Sequence, residues 1–308
     1  MVFRKLSAVM TTLMAGVLGW SSASFADDRI GKASEKQMGF QEPATEMMRQ
    51  IIEFHDWLLI MCVVVTLFVF ALLGWCMFRF NHKRNPNPSK TSHNTVIEIL
   101  WTLIPILILV AMAIPSFRML YYQDVIPEAD MSINITGHQW YWSYEYPDYD
   151  GISFDANMMP VAWFAEDADQ ETLDDKNAAI SDIQRMLDMP EAPPVYRLLE
   201  ADTRVVVPVN KTVKIVVTAD DVLHAWAIPA FGLKIDTVPG RTNERWFRAE
   251  ETGTFYGQCS ELCGIYHHQM PIVVEVVTEE EFEAWLGRAK AVYASNVVGK
   301  TPRLAAAN

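Results

Sequence analysis

Hydrophobic and polar positions alternate with three different periods along this chain, and each period predicts a different kind of element. Near the start, Arg4 and Lys5 precede an apolar run from Leu13 to Trp20 and the small-residue stretch Ser24-Phe25-Ala26. That order predicts a secretory signal over 1–26, with Asp27 opening the mature chain. A polar segment, 27–54, follows. Next come two long apolar runs, Trp57 to Phe78 with 22 residues and Ile99 to Phe117 with 19, neither holding a charge. Each reaches the roughly 20 residues needed to cross a hydrocarbon core. They predict transmembrane helices over 55–80 and 96–120, and Pro105 and Pro115 are tolerable because neighbouring helices support such breaks in a membrane. The connection, 81–95, sits among Arg79, His82, Lys83, Arg84 and Lys90, with no acid before Glu98. The positive-inside rule puts it in the cytoplasm. Both ends of the hairpin, and all of the chain after about residue 121, then lie in a periplasm-like compartment.

From Met131 the period shortens to two. Ser132 to Ile135, Val205 to Val209, Val213 to Val217, Glu244 to Phe247 and Ile272 to Val277 are rich in β-branched or aromatic residues. Turn signals at Pro208-Val-Asn210, Pro239-Gly240 and Gly253 separate them, so the expectation is a β-sandwich or barrel. An acidic insertion over about 161–194 interrupts the strands, with Ile183, Met186 and Leu187 spaced for one short helix. After the last strand, Glu279 to Ala294 reads as an amphipathic helix with Phe282, Trp285, Leu286 and Val292 on its apolar side. The β domain is placed at 121–286 and a tail at 287–308. No internal repeat is visible.

Charge changes the picture of partners. Residues 121–290 hold 30 acids against 12 bases, whereas residues 1–120 hold 8 against 11. Such an acidic domain argues against nucleic acid and for a basic partner. Of the four cysteines, Cys62 and Cys76 fall within an apolar run and read as small hydrophobes. Cys259 and Cys263 belong to Cys259-Ser-Glu-Leu-Cys263-Gly-Ile-Tyr-His267-His-Gln-Met270, which packs two thiols, an imidazole and a thioether into twelve residues. A further imidazole, His224 in Asp221-Val-Leu-His224-Ala-Trp226, lies between upstream strands.

Soft sulfur with imidazole suits copper. A disulfide leaves the two imidazoles and Met270 unexplained. Zinc has no need of Met270. A single-copper site uses one cysteine, not two. Two coppers bridged by both thiolates use every residue, with one imidazole on each metal, Met270 as a weak ligand of one and the Glu261 carbonyl as a weak ligand of the other. No position is left open for substrate, which suits electron transfer. A fused c-type haem is excluded because no Cys-x-x-Cys-His is present.

These motifs carry a resemblance. Phe54-His-Asp56, Glu98-Ile-Leu-Trp101-Thr-Leu-Ile-Pro105, Gly137-His-Gln-Trp140-Tyr-Trp-Ser-Tyr-Glu145-Tyr, Asp221-Val-Leu-His224-Ala-Trp226 and the Cys259–Met270 loop together resemble subunit II of cytochrome c oxidase, the subunit with the dinuclear CuA centre. The resemblance implies a mainly β fold, a cupredoxin-like Greek-key β-barrel behind a two-helix transmembrane hairpin. It implies copper ligands at His224, Cys259, Glu261 (backbone carbonyl), Cys263, His267 and Met270, with His268 as a neighbour only. It also implies Mg or Mn at the Glu261 side chain, shared with subunit I. Trp140 falls at the position where electrons enter, Glu145, Asp220 and Asp221 at docking positions for cytochrome c, and Glu98 at the mouth of a proton pathway. The implied partners are subunits I and III, cytochrome c and membrane lipid. A quinol oxidase subunit would lack the copper ligands, and nitrous oxide reductase would need a large further domain.

Overall fold

The computed structural model describes residues 31–293; the expected signal at 1–26 and the final part of the tail, 294–308, lie outside the described residues. Helix α1 spans Glu46–Arg79 and α2 spans Thr95–Asp124. Each begins where a side chain caps the free backbone donors of the first turn. Thr45 Oγ1 accepts the Met48 N–H at 3.1 Å, and Asn94 Oδ1 accepts those of Val96 and Ile97 at 3.1 and 3.3 Å. Helix α1 therefore starts ahead of the expected residue 55, at its cap rather than at the edge of the apolar run. At 1.5 Å per residue it is about 50 Å long, well beyond the ~30 Å hydrocarbon core. Its middle presents Leu67, Phe70 and Leu73 outward, and α2 presents Leu109 and Ile114, all more than half exposed. Such a surface is not stable against water and calls for lipid or an apolar protein surface around it.

The β domain follows. β1 (Met131–His138), β2 (Tyr141–Tyr146), β3 (Ile152–Ala156), β5 (Val213–Ala219) and β8 (Asn243–Phe247) form one sheet in the order β3-β2-β1-β5-β8. β4 (Val205–Pro208), β10 (Pro271–Val277) and β9 (Gly253–Gln258) form a second in the order β4-β10-β9. β6 (His224–Ile228) and β7 (Leu233–Thr237) pair separately. β1 runs parallel to β5 and β10 parallel to β4, so crossovers connect them rather than hairpins. Alternate residues point inward, and Trp142, Tyr144, Trp226, Phe231, Phe247 and Phe255 fill the space between the sheets.

The acidic insertion folds as a 3-10 turn, Val161–Phe164, and helix α3, Gln170–Leu187. It packs through its own small cluster of Met159, Trp163 and Ile183. Helix α4 spans Glu279–Tyr293 and buries Phe282, Trp285, Leu286 and Ala289, a one-face spacing. It runs past residue 286, where the tail was expected to begin. Val292 is 45% exposed and Ala289 takes the buried position expected for it. Arg288 ties α4 to the insertion by donating to the Met186 carbonyl at 2.7 Å.

The chain before α1 is bound to the barrel. The Gly31 carbonyl accepts the Tyr256 N–H at 3.0 Å, and Ala44 exchanges backbone bonds with Ala230 and Glu250 at 2.9 and 3.0 Å. Thr45 Oγ1 donates to the Phe231 carbonyl at 2.8 Å. At Gly232 (φ +67°) a Cβ would come within 3.0 Å of the Met48 backbone, so the turn after Phe231 needs glycine to meet α1. Arg49 pairs with Glu250 at 2.6 Å, Arg245 with Asp124, and the rings of Tyr122 and Trp246 meet edge to face at 5.5 Å.

Candidate metal centre

β5 leads through Asp220 to Leu223 into His224, and β9 leads into the loop that ends at Met270. His224 is the first residue of β6, paired with Thr237, not part of a free loop as expected. This strand position fixes its ring at 0% exposure. The second ligand loop is drawn onto β6 by Ser260 N–H donating to the Ala225 carbonyl at 2.9 Å and closed by Cys259 N–H donating to the Met270 carbonyl at 3.2 Å. Close approach depends on Gly257: a Cβ there would lie 2.0 Å from the Ala227 carbonyl oxygen. Gly137 does the same beneath His224, where a Cβ would stand 2.9 Å from the imidazole Cδ2.

The expected donors converge. Cys259 and Cys263 Sγ lie 3.9 Å apart, unbonded to one another. His224 Nδ1 is 3.9 Å from Cys259 Sγ, and His267 Nδ1 is 3.4 Å from Cys263 Sγ. Met270 Sδ stands 3.5 Å from Cys263 Sγ, and the Glu261 carbonyl oxygen 3.3 Å from Cys259 Sγ. His224, Cys259 and Cys263 alone bring their ligand atoms within 4.8 Å of one another. Burial, and then the neighbouring Cys259, push the Cys263 thiol up to about 12. Two adjacent buried thiolates need a cation between them, and binding a soft metal supplies it while releasing the protons. The donor set fits copper: two thiols, two imidazoles facing them through Nδ1, a thioether and a carbonyl.

Other expected residues are spread around this centre. Trp140 lies in the β1–β2 turn, ahead of the strand that carries Trp142. Trp142 is fully buried, whereas Trp140 is half-buried with its ring 4.9 Å from that of Tyr266, edge to face. Its Nε1 is buried and has no hydrogen-bond partner among the described residues. Gly264 permits this contact, since a Cβ there would reach 3.1 Å from the indole. Glu145 lies on the outward face of β2 and accepts from Asn134 at 2.9 Å. Asp220 is 67% exposed and stands 3.5 Å from His138. Asp221, by contrast, turns inward. Its Oδ1 accepts from His224 Nε2 at 2.9 Å and from the Val222 N–H at 2.6 Å, and its Oδ2 from the Gln139 N–H at 2.7 Å. Burial works against its charge, but these bonds outweigh it and hold the carboxyl below its usual range. Glu98 is in the first turn of α2, remote in sequence from the centre, and its Oε1 accepts the Asn94 N–H at 3.2 Å. Gln139, Gly137 and Gly257 were missed in the sequence. A glycine inside a strand is a signal of close backbone approach and marks the latter two; nothing marks Gln139.

Residues 131–190 and 181–277 match the family described as cytochrome C oxidase subunit II, periplasmic domain, and residues 33–119 match its transmembrane domain. The chain belongs to the cytochrome c oxidase subunit II family. A probable cytochrome c oxidase subunit 2 of Rickettsia bellii is 43% identical, with 95% of this chain and 96% of that protein covered. Cytochrome c oxidase subunit 2 of Cereibacter sphaeroides is 41% identical, covering 92% of each. Among solved structures, the periplasmic domain of subunit II of cytochrome oxidase (CoxB) of Bradyrhizobium japonicum is 44% identical, covering 55% of this chain and 99% of that one with a TM-score of 0.42. Membership makes the β domain a cupredoxin-like Greek-key barrel behind a two-span membrane hairpin, and the chain a subunit of an oxidoreductase. A copper centre is a property of this family, and the His224, Cys259 and Cys263 group is where this chain could hold it.

Proposed function

We propose that this chain is the electron-accepting subunit of a cytochrome c oxidase. It takes electrons from cytochrome c at a dinuclear CuA centre and hands them to haem in subunit I, where oxygen reduction is coupled to proton pumping. The observation that carries the reading is the convergence of six donors from two segments, with both sulfurs unpaired and 3.9 Å apart. In it, Cys259, Cys263, His224 and His267 would hold the copper pair, with Met270 and the Glu261 carbonyl as its weaker donors. When bound, a copper pair of this kind stores and releases one electron. The chain buries four of the six donors, His224, Cys259, Cys263 and Met270, whereas Glu261 and His267 are half-buried.

The rest of the chain serves input, output and anchoring. Cytochrome c, a basic protein, meets the acidic face that includes Glu145 and Asp220, with Asp221 turned inward behind them; complementary charge speeds encounter and sets orientation. Trp140 is the point where electrons enter. The Glu261 side chain holds Mg or Mn shared with subunit I, an oxygen donor matched to a hard cation. Glu98 stands at the mouth of a proton pathway. Subunits I and III and lipid surround the hairpin, whose 81–95 loop is cytoplasmic while the copper domain and both termini are periplasmic. The decisive test loads the full chain in detergent with copper. Two coppers per chain and a spin resonance spectrum of one unpaired electron shared by both are expected; a single copper, or a preference for zinc, overturns the reading.

A further inference from the structure

The β1–β2 turn supplies no metal ligand, yet it is bonded to both segments that do. We infer that Gln139 and Asp221 form a buckle that locks the His224 strand and the Cys259–Met270 loop into one unit, which makes both of them positioning residues for the metal centre. The inference rests on the copper reading proposed above.

A continuous line of hydrogen bonds defines the buckle. His224 turns Nδ1 toward Cys259 Sγ at 3.9 Å, so its Nε2 carries the proton and donates to Asp221 Oδ1 at 2.9 Å. That is the tautomer a metal-binding imidazole needs, and a carboxylate behind the ring both fixes its orientation and enriches its electrons. Asp221 Oδ2 accepts the Gln139 N–H at 2.7 Å, and Gln139 Nε2 in turn donates to the Cys263 carbonyl at 2.7 Å. From His224 to Cys263 the line therefore crosses three segments of chain remote in sequence. Gln139 also precedes Trp140, so the same turn holds the indole against the loop. A wider side chain at Gly264 would meet Gln139 Nε2 at 3.2 Å and the indole at 3.1 Å.

Asp221 and its neighbour thus divide the work that the sequence assigned to both. Asp221 spends its oxygens on three inward donors, whereas Asp220 is 67% exposed and stands 3.5 Å from the ring of His138. Asp220 is the acid left for a partner.

The test uses the full chain in detergent, with copper(I) competed against a chelator, spin resonance and a redox titration. Gln139→Leu removes the donor to Cys263 and keeps the main-chain bond to Asp221. Asp221→Asn keeps the volume and removes the charge behind His224. Each should lower copper affinity about 10-fold or more, the usual cost of losing a partner of a metal ligand. The double variant should lose less than the product, because the two substitutions cut one line of bonds. Asp221→Asn should also raise the reduction potential and alter the copper hyperfine pattern, neither of which a docking acid or a purely structural turn would change. Should Gln139→Leu fold poorly, Gln139→Glu also removes the donor and must lower affinity in the same direction. Unaltered affinity and spectra, or losses that simply multiply, overturn the buckle. Failure of the unsubstituted chain to take two coppers overturns the functional reading instead.

Discussion

Strand β9 carries a buried polar cluster at each end, and the two clusters differ in where their positive charge comes from. At its start, Thr254 and Tyr256 face Glu200, Arg204 and Glu275, which are 0%, 4% and 6% exposed. Arg204 donates to Glu200 at 3.2 Å and to Glu275 at 3.0 Å, and Thr254 donates to Glu275 at 2.9 Å. Beyond its end stand the two thiols, the imidazoles and the thioether, with no cationic side chain among them. Buried polar groups are costly unless paired. One end carries its own guanidinium, fixed when the chain folds. The other is built from soft donors that a hard, permanent side-chain cation would not satisfy, so its charge has to arrive as metal. The first arrangement is structural because its partner cannot leave; on the copper reading proposed above, the second is functional because its partner can change charge.

Substitution breaks the comparison most severely at the ligands. Cys263→Ser should remove a bridging thiolate and reduce copper from two per chain to one or none by metal analysis, while leaving the barrel folded. At the other end, Arg204→Met leaves two buried carboxylates without their cation and should cost about 3–5 kcal/mol of stability in a denaturant melt. Only the second change should lower the stability of the copper-free chain by that much.

Next in size is a pH effect at the Arg204 end. Burial lifts the Glu200 carboxyl from 4.5 to about 7, with the charge of Arg204 pulling against it and Glu275 adding to it. Burial likewise lifts Asp202 to about 6, against the bonds it accepts from Asn157. Both folded values lie above the unfolded ones, so the folded chain binds extra protons in the interval. The stability that these two groups contribute is then greatest below their unfolded values and declines as pH rises to about 7, with little further loss above it. Glu200→Gln should flatten much of that decline in melting midpoints taken across the interval; an unchanged slope would mean that Glu200 does not carry it. Met270→Leu sharpens the other end: the reduction potential should shift while both coppers stay, as suits a weak ligand 3.5 Å from Cys263 Sγ. The smallest effect expected is at Asp220→Asn, a few-fold rise in KM for a basic electron donor. It should fade as salt shortens the screening length below about 8 Å.

The ends of β9 were not equally legible. Cysteine, histidine and methionine in one short loop are rare in combination, so residue type and spacing were enough to find the copper-end donors. The hairpin was legible because its apolar runs match a bilayer in length. Glu200, Arg204 and Glu275 were counted among the charges of an acidic surface, because a charge in sequence says nothing of its burial. Asp221 was grouped with Asp220 because the resemblance implied docking positions for both, and sequence does not show which way a carboxylate turns. Gln139 gave no signal, since an amide in a turn is ordinary and its importance lies in what two distant segments bring to it. The reach of α1 was also hidden, because its cap at Thr45 lies among polar residues before the apolar run.

That reach has a mechanical consequence. Helix α1 is capped by Thr45, whose hydroxyl also holds the Phe231 carbonyl, and α2 ends with Asp124 paired to Arg245. The barrel thus stands on two stiff posts that continue into the membrane, with hardly any slack at either joint. Such a mounting acts as a spacer: it fixes the height of the metal cage above the bilayer and resists its tilting. On the electron-transfer reading proposed above, the gap toward a membrane-embedded acceptor is then set by the length of a helix, before any partner subunit has bound.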